Sequence, residues 1–365
     1  MVGGSISAAH PGNSGTDPFE QDIFIMRLSI VDLATVIPGE DRHQALMNSI
    51  EAAQHIEKLG FSRVWVAEHH GTRSIAGRAP EVLIAAIAAN TSTIRVGSGS
   101  VLLNHYSSFK VAEVFCTLNE LYPGRIDLGA GRATTGPVTD FALQQDRSKR
   151  FQSDSDQQIV ELVAWLDNSF PEDHPFAQSP IYTLDTPPEL HLLGSSGWSA
   201  SAAGQLGLRY VFAGFINQNG ASSIINSYRN HFKPSDTPTG ISEPEVILAA
   251  HVVCADTEKE AQRQIAPVMV MYNNLAKGLL DIALPSPDEA VEQLGGLPDL
   301  ERYTPGSGRP PKFIAGTPEQ VQEQLQALSE DLQVEEIIVQ DMMTDHQARL
   351  RSYDLLAETF QLKSI

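Results

Sequence analysis

Cysteine is scarce in this chain, with two among 365 residues, Cys116 and Cys254. Both lie inside apolar segments, where a thiol behaves as a small hydrophobic side chain. So few cysteines exclude a small secreted domain that depends on several disulfides. We expect two reduced core thiols in a cytoplasmic protein, and a disulfide between them is the less favoured alternative.

Basic residues are also few, with 25 against 45 acidic ones, and the formal net charge is −20. A surface of that sign repels the phosphate backbone of a nucleic acid and the head groups of an anionic membrane. Long hydrophobic runs are missing as well, since none approaches the roughly 20 residues that span a bilayer. We expect neither a nucleic-acid nor a membrane partner, whereas a small anionic ligand can still bind a locally positive pocket.

The first 26 residues lack both the basic segment and the apolar segment of a secretory signal peptide. They are rich in Gly, Ser, Ala and Pro, a composition that offers little to bury in a core. We expect residues 1–26 to be a disordered leader or a vector-derived remnant, and residues 27–365 to form one domain.

What the chain does have is an alternation of strand-like and helix-like segments from residue 27 to its end. The eight predicted strands cover residues 28–31, 64–67, 94–103, 125–129, 189–193, 210–213, 246–254 and 336–340. A helical pattern follows each of them, and eight such units are the count of a (β/α)8 TIM barrel. The predicted fold class is therefore α/β, and an open doubly wound sheet is the competing architecture.

Residues 285–311 interrupt this alternation with scattered prolines and glycines. Connections of that length are uncommon inside a compact domain and are usually lids or disordered segments. We predict a long insertion with little regular structure before the last βα unit.

The second predicted strand, residues 64–67, runs directly into Glu68, His69 and His70. In parallel α/β barrels the carboxyl ends of the strands carry the active site. A metal site is disfavoured, because neighbours on a strand point to opposite faces and no nearby HxH or HxxxH pair supports them. His105 follows the third strand and is expected to line the same mouth, whereas the other histidines are interpreted as solvated surface residues.

Three further segments at predicted strand ends combine small residues with polar ones: 97–100, 129–132 and 194–199. Glycines inside a strand mark a bulge or the close approach of a ligand, although a tight fit inside the barrel is an equal alternative. Arg132 follows two glycines and suits a phosphate better than a lone surface arginine does. Hydroxyls at a helix start can bind an anion or simply cap the helix. Neither a GxGxxG nor a Walker pattern is present, so Arg132 and the serines suggest a monophosphate.

Taken in order, these segments resemble those of the bacterial luciferase-like flavin monooxygenases, a family of (β/α)8 proteins that bind FMN at the barrel mouth. The shared features are Glu68-His69-His70 and residues 96–100, 121–125 with 129–132, 194–199 and 314–319. No single motif is decisive, but five in the same order are specific. They extend over the chain from residue 27 to near its C-terminus.

The resemblance implies roles for particular residues. His69 matches the histidine beside the reactive edge of the flavin, where it serves as a base. Gly99 and Ser100 match a pair joined by a non-proline cis peptide that bulges against the flavin ring, and Phe215 matches an aromatic residue near that ring. The residues that match the groups holding the FMN phosphate are Arg132, Ser195, Ser196 and Ser199.

Two departures separate the chain from the light-emitting members. Luciferases carry a cysteine near the C4a position of the flavin, where this chain has Gly131, and an acid where it has Ser195. The resemblance therefore implies a non-luminous monooxygenase that uses reduced FMN and O2 to oxygenate a small organic substrate through a flavin C4a-hydroperoxide. A separate flavin reductase is expected, because the chain has no NAD(P)H fingerprint. The alternatives are a deazaflavin-dependent hydride-transfer enzyme and a non-catalytic flavin-binding protein.

The resemblance also bears on assembly and on the insertion. The predicted helix at residues 81–90 is apolar nearly all round, whereas a surface helix of a barrel needs only one apolar stripe. Family members pair through this region, which implies a two-fold homodimer, and cover by another segment of the chain is the alternative. The matching insertion folds over the mouth in the family, which implies a mobile lid at residues 285–311.

Overall fold

The structure is a computed structural model that describes residues 26–144, 155–181, 186–279 and 281–363. The predicted leader lies outside the described residues except for Met26, which is buried. The start of the helix expected from residue 150 lies outside them as well.

Strands and helices alternate along the described residues. The strands are β1 (Arg27–Asp32), β2 (Arg63–Val66), β3 (Arg95–Ser98), β4 (Val101–Leu102), β5 (Ile126–Gly131), β6 (Glu189–Gly194), β7 (Arg209–Ala213), β8 (Val246–Cys254), β9 (Phe313–Gly316) and β10 (Glu336–Gln340). The helices are α1 (Arg42–Leu59), α2 (Pro80–Ala89), α3 (Ser108–Leu121), α4 (Pro137–Leu143), α5 (Ser155–Asp167), α6 (Gly197–Gln205), α7 (Ala221–His231), α8 (Glu258–Ala276), α9 (Pro287–Leu294), α10 (Pro318–Leu332) and α11 (His346–Thr359).

Side-chain caps fix where several of these helices begin. Asp41, Ser107, Thr257 and Thr317 each accept a hydrogen bond from the backbone N–H three residues further on. Such a cap satisfies a donor that has no partner inside the helix. Caps before α1, α3, α8 and α10 therefore set the points at which the chain turns from the strand ends into the helices.

Eight strands close into a ring in the order β1, β2, β3, β5, β6, β7, β8 and β10. β10 completes the ring because it pairs with both β1 and β8, so that Ile338 lies beside Ser29 on one side and Ala249 on the other. All of these ladders are parallel. The predicted (β/α)8 barrel is confirmed, and the open doubly wound sheet is wrong.

Because the strands are parallel, the two ends of the barrel differ in kind. We call the end formed by the carboxyl ends of the strands the mouth; its strand termini are Asp32, Val66, Gly131, Gly194, Ala213 and Gln340. We call the opposite end the floor; its strand termini are Arg27, Arg63, Arg95, Ile126, Glu189, Arg209 and Glu336.

The third strand of the ring is interrupted at Gly99 and Ser100. β3 pairs with the start of β5, and β4 rejoins β5 further along, at Ala130 and Gly131. Gly99 and Ser100 leave the ladder between these two pairings, and the peptide bond that joins them is cis. The strand predicted over residues 94–103 is therefore confirmed in place but is broken by a bulge at the mouth.

The insertion before the last strand starts from the mouth. β8 pairs directly with β10, and α10 contacts both strands, which makes α10 the crossover helix between them. The helices α8 and α9 and the strand β9 are therefore inserted between the carboxyl end of β8 and α10. β9, which the sequence did not predict, pairs with the last residues of β8, from His251 beside Phe313 to Cys254 beside Gly316.

The expectation of little regular structure at residues 285–311 is wrong in part. α9 occupies Pro287–Leu294 and begins with a capping box, in which Ser286 and Glu289 accept from each other's backbone N–H groups. Ala290 of α9 is buried against α8. Prolines and glycines on either side of so short a helix hide its pattern in the sequence.

Apolar side chains pack on both faces of the barrel sheet. Successive residues of a strand point to opposite faces, and in β8 Leu248 faces the surrounding helices while Ile247 and Ala249 face the barrel interior. The interior cluster continues without a break into the α8 residues Ala261 and Ile265. α8 therefore covers the barrel interior from the mouth side.

Charged side chains close the floor. Arg63 donates from Nε to Oε1 of Glu336 at 2.7 Å and from Nη1 to Oδ2 of Asp127 at 2.8 Å. Asp127 also accepts from Nε1 of Trp65 and from Nε of Arg95, each at 2.8 Å. Burial alone would raise the pKa of Asp127, but the charges of Arg63 and Arg95 outweigh it and lower this pKa to about 2.

Candidate active site

Glu68 joins two segments of the mouth. Its buried carboxylate accepts from the backbone N–H of Leu102 at 2.8 Å, from the hydroxyl of Tyr106 at 2.5 Å and from Nε2 of His70 at 2.7 Å. Three donors on one carboxylate anchor the end of β2 to the turn after β4. Glu68 thus holds the His70 ring in place, whereas His69 takes no part in this hydrogen-bond network.

His69 is fixed by its backbone and leaves one ring nitrogen unbonded. Its N–H donates to the carbonyl of Gly77 at 2.9 Å, and its buried Nδ1 has no hydrogen-bond partner among the described residues. Burial lowers the pKa of His69 to about 4; His70 lowers it further, and Glu68 acts in the opposite direction. The ring is therefore neutral near pH 7, which is the state that a general base requires.

The cis peptide between Gly99 and Ser100 agrees with the pair that the resemblance implied. A Cβ added at Gly99 would lie 3.1 Å from side-chain atoms of Trp65 and Val31. A Cβ added at Gly131 would lie 2.3 Å from Oγ of Ser100. A cysteine at Gly131 therefore fits only if Ser100 moves, which gives a physical reason for this departure from the light-emitting members.

Arg132 and the serine segment come together at one edge of the mouth. The Arg132 guanidinium lies over the indole of Trp198, with Cζ 4.4 Å from the ring centroid, and Trp198 belongs to the first turn of α6. Ser195 and Ser196 immediately precede that turn. The cleft beside Arg132 and Trp198 is lined by Leu103, Asn104, Gly131, Gln158 and Leu192, among others. A guanidinium next to a helix N-terminus is suited to an anion.

Ser199 lies behind this edge. Its buried hydroxyl donates to the carbonyl of Ser196 at 2.9 Å and is 3.3 Å from the hydroxyl of Tyr210, which donates to the carbonyl of Gly194 at 3.1 Å. These bonds maintain the shape of the serine segment. Contact of Ser199 with a cofactor phosphate stays a prediction, and so does contact of Arg132, Ser195 and Ser196 with that phosphate.

Asn104 and the buried His105 occupy the turn after β4, Leu103–His105. Nδ2 of Asn104 donates to the carbonyl of Ala133 at 3.1 Å, which ties this turn to the segment after β5. Nε2 of His105 lies 3.5 Å from Oδ1 of Asp140 in α4. His105 thus follows β4 at the mouth end of the barrel, on the edge that also carries Arg132, but its side chain is fully buried, and lining of the mouth by His105 stays a prediction.

Phe215 belongs to a ring cluster that the sequence did not reveal. We define the ring cluster as Phe215, His251, Tyr272 and Phe313. The centroids of Phe215 and His251 are 4.8 Å apart, and those of His251 and Phe313 are 5.4 Å apart. The Tyr272 hydroxyl lies 3.1 Å from Nε2 of His251. Phe215 also packs against the barrel interior, and its contact with a flavin ring stays a prediction.

The interpretation of the remaining histidines as solvated surface residues is wrong for His191 and His251. Both are buried, with 1% and 0% of their surface exposed. Burial lowers the pKa of His251 to about 3. The signal was present in β8, because His251 follows Ile247 and Ala249 at every second position and therefore points to the same interior face.

The extent of one family match decides the family. Residues 26–336, which are most of the chain, match the family model described as luciferase-like monooxygenase. The chain belongs to the luciferase-like monooxygenase family.

Relatives of this luciferase-like protein match it over nearly its whole length. The uncharacterized protein YwcH of Bacillus subtilis (strain 168) is 40% identical over 351 residues, covering 92% of this chain and 99% of YwcH. The N-acetyl-S-alkylcysteine monooxygenase of the same strain is 36% identical over 343 residues, covering 92% and 98%. Among solved structures, apo-MsnO8 is 41% identical with a TM-score of 0.82, covering 93% and 98%. These likenesses support monooxygenase activity in the general sense.

More distant solved structures share the fold alone. The oxygenating constituent of 3,6-diketocamphane monooxygenase from Pseudomonas putida, in complex with FMN, is 20% identical with a TM-score of 0.66, covering 92% of this chain and 98% of its own. An F420-dependent secondary alcohol dehydrogenase is 14% identical with a TM-score of 0.61, covering 92% and 98%. Both cofactors thus occur on this fold.

Membrane-spanning helices and metal sites are two further features to consider. In residues 26–144, 155–181, 186–279 and 281–363, no helix is long and apolar enough to cross a membrane. Over those same ranges, no group of three His, Cys, Asp or Glu side chains is placed to hold a metal ion.

Proposed function

We propose that this luciferase-like protein binds FMN at the barrel mouth and uses reduced FMN and O2 to oxygenate a small organic substrate without emitting light. The observation that carries the proposal is His69: a neutral, half-buried imidazole whose buried Nδ1 has no hydrogen-bond partner among the described residues, at the carboxyl end of a barrel strand. An unsatisfied polar atom at a buried position calls for a partner that a ligand can supply.

The residues of the mouth suit FMN in chemistry and in charge. The bulge at Gly99 and Ser100 offers backbone without a side chain at Gly99, which suits the face of a flat ring. Arg132 and the start of α6 offer a cation and helix N–H groups to a phosphate. Phe215, at the end of β7, offers an aromatic side chain to the ring system.

When bound and reduced, FMN supplies the electrons with which dioxygen is activated. His69, neutral above its pKa of about 4, accepts a proton at a ring nitrogen and returns it during turnover. Arg132 holds the phosphate and thereby orients the cofactor. The apolar side chains of Val31, Trp65 and Val211 in the barrel interior exclude water, which protects reactive intermediates from wasteful decay.

Reconstitution tests this proposal against its alternatives. The purified chain is titrated with FMN and with F420, and each complex is reduced and then exposed to oxygen. The proposal requires FMN to bind and its reoxidation to yield an oxygenated product from a substrate panel. F420 binding with hydride transfer and no oxygen uptake would replace the proposal with the deazaflavin alternative. FMN binding without any reaction would leave a flavin-binding protein.

We also propose that a separate flavin reductase supplies the reduced FMN. The sequence has no GxGxxG fingerprint for NAD(P)H. Turnover with NADH and FMN should therefore need an added flavin reductase, and chemically reduced FMN should replace both. NADH oxidation by the chain alone would contradict this.

We propose further that two copies pair through α2. Val82 of α2 has 67% of its surface exposed although most of this helix is apolar. Light scattering at micromolar concentration should give a dimer, and Val82→Glu should shift the mass toward the monomer. The matched control is Val160→Glu on α5, another exposed valine, at 51%. A monomeric wild-type protein would contradict pairing.

The insertion remains proposed as a lid. The Thr344 hydroxyl donates to the carbonyl of Pro285 at 3.0 Å. Tyr303 ties the segment to α10, because its hydroxyl donates to Asp331 at 2.5 Å and its backbone N–H donates to Oε1 of Gln324 at 3.0 Å. Replacing residues 285–311 by a Gly/Ser linker should leave FMN binding intact while peroxide leakage rises. Unchanged coupling of oxygen uptake to product would contradict the lid.

A further inference from the structure

Lys312 differs from every other lysine in the described residues. The remaining ones, at positions 58, 110, 233, 259, 277 and 363, are exposed, whereas Lys312 is half-buried. It forms no ion pair with a described carboxylate, although the chain carries 45 acidic residues. Burial lowers the pKa of Lys312, which is the direction expected where no anion offsets the loss of water.

The Lys312 ammonium caps the ring cluster. Its Nζ lies 3.5 Å from the centroid of the Tyr272 ring and 5.7 Å from that of Phe313. Tyr272 follows Ala261 and Ile265 along the face of α8 that packs on the barrel interior. Because Tyr272 also bonds to the buried His251, Lys312 lies on the wall of the mouth formed by β8, β9 and α8.

Apolar side chains are exposed on the segments beside this wall. Ile216, just after β7, has 63% of its surface exposed, and Leu279, just after α8, has 49%. Leu275, three residues after Tyr272 in α8, is exposed as well, whereas Ile282 follows Asp281, which pairs with Arg73 beyond the end of β2. Exposed apolar side chains mark a surface that can bind an apolar ligand.

We propose that Lys312 binds an anionic group of the substrate, so that the substrate is a small organic anion with an apolar body. This assignment deepens the proposed function, since it rests on oxygenation taking place at the mouth. A bound anion compensates the Lys312 ammonium for the hydration that it loses on burial. The exposed apolar side chains accommodate the rest of the molecule.

The proposed anion site is separate from the one assigned to the cofactor phosphate. Arg132 follows β5, three strands away from β8 around the ring. Lys312 stands at the start of β9, which pairs with β8 alone. The mouth therefore offers two cationic positions, and one phosphate does not account for both.

Calorimetric binding tests the site with a matched pair of probes. The probes are 4-phenylbutanoate and its neutral amide, titrated into the chain with and without FMN. The wild-type protein should bind the carboxylate at least tenfold more tightly than the amide. Lys312→Met should abolish that preference, Lys312→Arg should keep most of it, and Lys58→Met, which removes an exposed lysine of α1, should leave it unchanged.

The outcomes separate this proposal from the proposed function. Equal or undetectable binding of the two probes, or a preference that survives in Lys312→Met, would overturn the substrate-anion site. FMN affinity, measured by fluorescence quenching, should be the same in Lys312→Met and wild type; a fall would assign Lys312 to the cofactor phosphate and overturn the proposal too. A carboxylate preference in a chain that fails to bind FMN would support the anion site and refute only the FMN assignment.

Discussion

The floor and the mouth of this barrel differ in how their polar groups are paired. At the floor, the buried carboxylates of Asp127 and Glu336 are matched by Arg63, with both bonds at 2.8 Å or less. At the mouth, Nδ1 of His69 has no partner among the described residues, and Lys312 has no carboxylate within them to pair with. The floor of the sheet thus carries matched ion pairs, whereas the mouth carries an imidazole nitrogen without a hydrogen-bond partner among the described residues.

This difference separates stability from chemistry. A buried ion pair whose groups are all matched adds nothing that a ligand could use, and removing one member leaves an uncompensated charge. At the opposite end, the His69 imidazole gains a hydrogen-bond partner, and the Lys312 ammonium gains an anion beside its aromatic neighbours, only when a ligand binds. A polar group that has its partners within the chain therefore indicates a structural role. A polar group without such a partner indicates where a ligand binds.

The largest expected effect comes from the mouth. His69→Ala should lower turnover by roughly 10²–10⁴-fold, the range for loss of a general base, and should leave FMN affinity nearly unchanged. Steady-state kinetics and fluorescence titration measure the two quantities. His70→Ala is the control at the adjacent position, since His70 bonds Glu68. A loss of FMN affinity in His69→Ala as large as the loss of turnover would contradict the assigned role.

The next largest effect comes from the floor. Arg63→Met should destabilise the fold by about 3–5 kcal/mol, because it leaves Asp127 and Glu336 buried without their main partner. Chemical denaturation measures it. The matched control is Arg351→Met, which breaks the exposed pair with Asp256 at 2.7 Å and should cost about 0–1 kcal/mol.

Arg63→Met should not alter FMN affinity once the variant is folded, since the floor has no part in binding. Equal destabilisation by the Arg63 and Arg351 substitutions would mean that the floor layer contributes no more than a surface pair does. A specific loss of FMN affinity in Arg63→Met would erase the distinction between the two ends.

Sequence patterns predicted the ring of strands but only part of the mouth. The eight strand–helix units and the glycines at 97 and 99 are local signals, and they predicted the barrel and its bulge. β9 was missed because Phe313–Gly316 is four residues long and follows a proline-rich segment. The insertion was therefore expected as one loop, although it holds a helix and a strand.

Contacts between residues far apart in the sequence could not be predicted, for a different reason. Arg63 and Glu336 meet across 273 positions only because β10 closes the ring on β1. Lys312 meets Tyr272 only because β9 returns to the end of β8. Both contacts depend on the tertiary fold, and no spacing in the sequence encodes them.

A smaller effect on binding should follow from changing the phosphate edge. Arg132→Ala should weaken FMN binding by about 1.5–3 kcal/mol, the value of a hydrogen bond to a charged group, while the affinity for riboflavin, which lacks the phosphate, should change little. Fluorescence titration with both flavins measures the difference. Equal losses for the two flavins would show that Arg132 acts on the ring and not on the phosphate.

The last effect is a gradual loss of stability in acid, and the buried His251 at the mouth should contribute to it. His251 has a pKa of about 3 in the folded protein against an ordinary value of 6.5, so below pH 6.5 the unfolded chain binds the extra proton. Its contribution is complete above pH 6.5 and declines as the pH falls, by at most about 1.4 kcal/mol per pH unit. Asp127 has a pKa of about 2 against an ordinary value of 3.8, so it loses its contribution to stability only below about pH 4.

Denaturation measured between pH 7 and pH 4 should therefore show a shallower decline of stability in His251→Phe than in wild type. His231→Phe, which removes an exposed histidine, should follow the wild type. Parallel curves for all three proteins would place the first loss of stability away from the mouth.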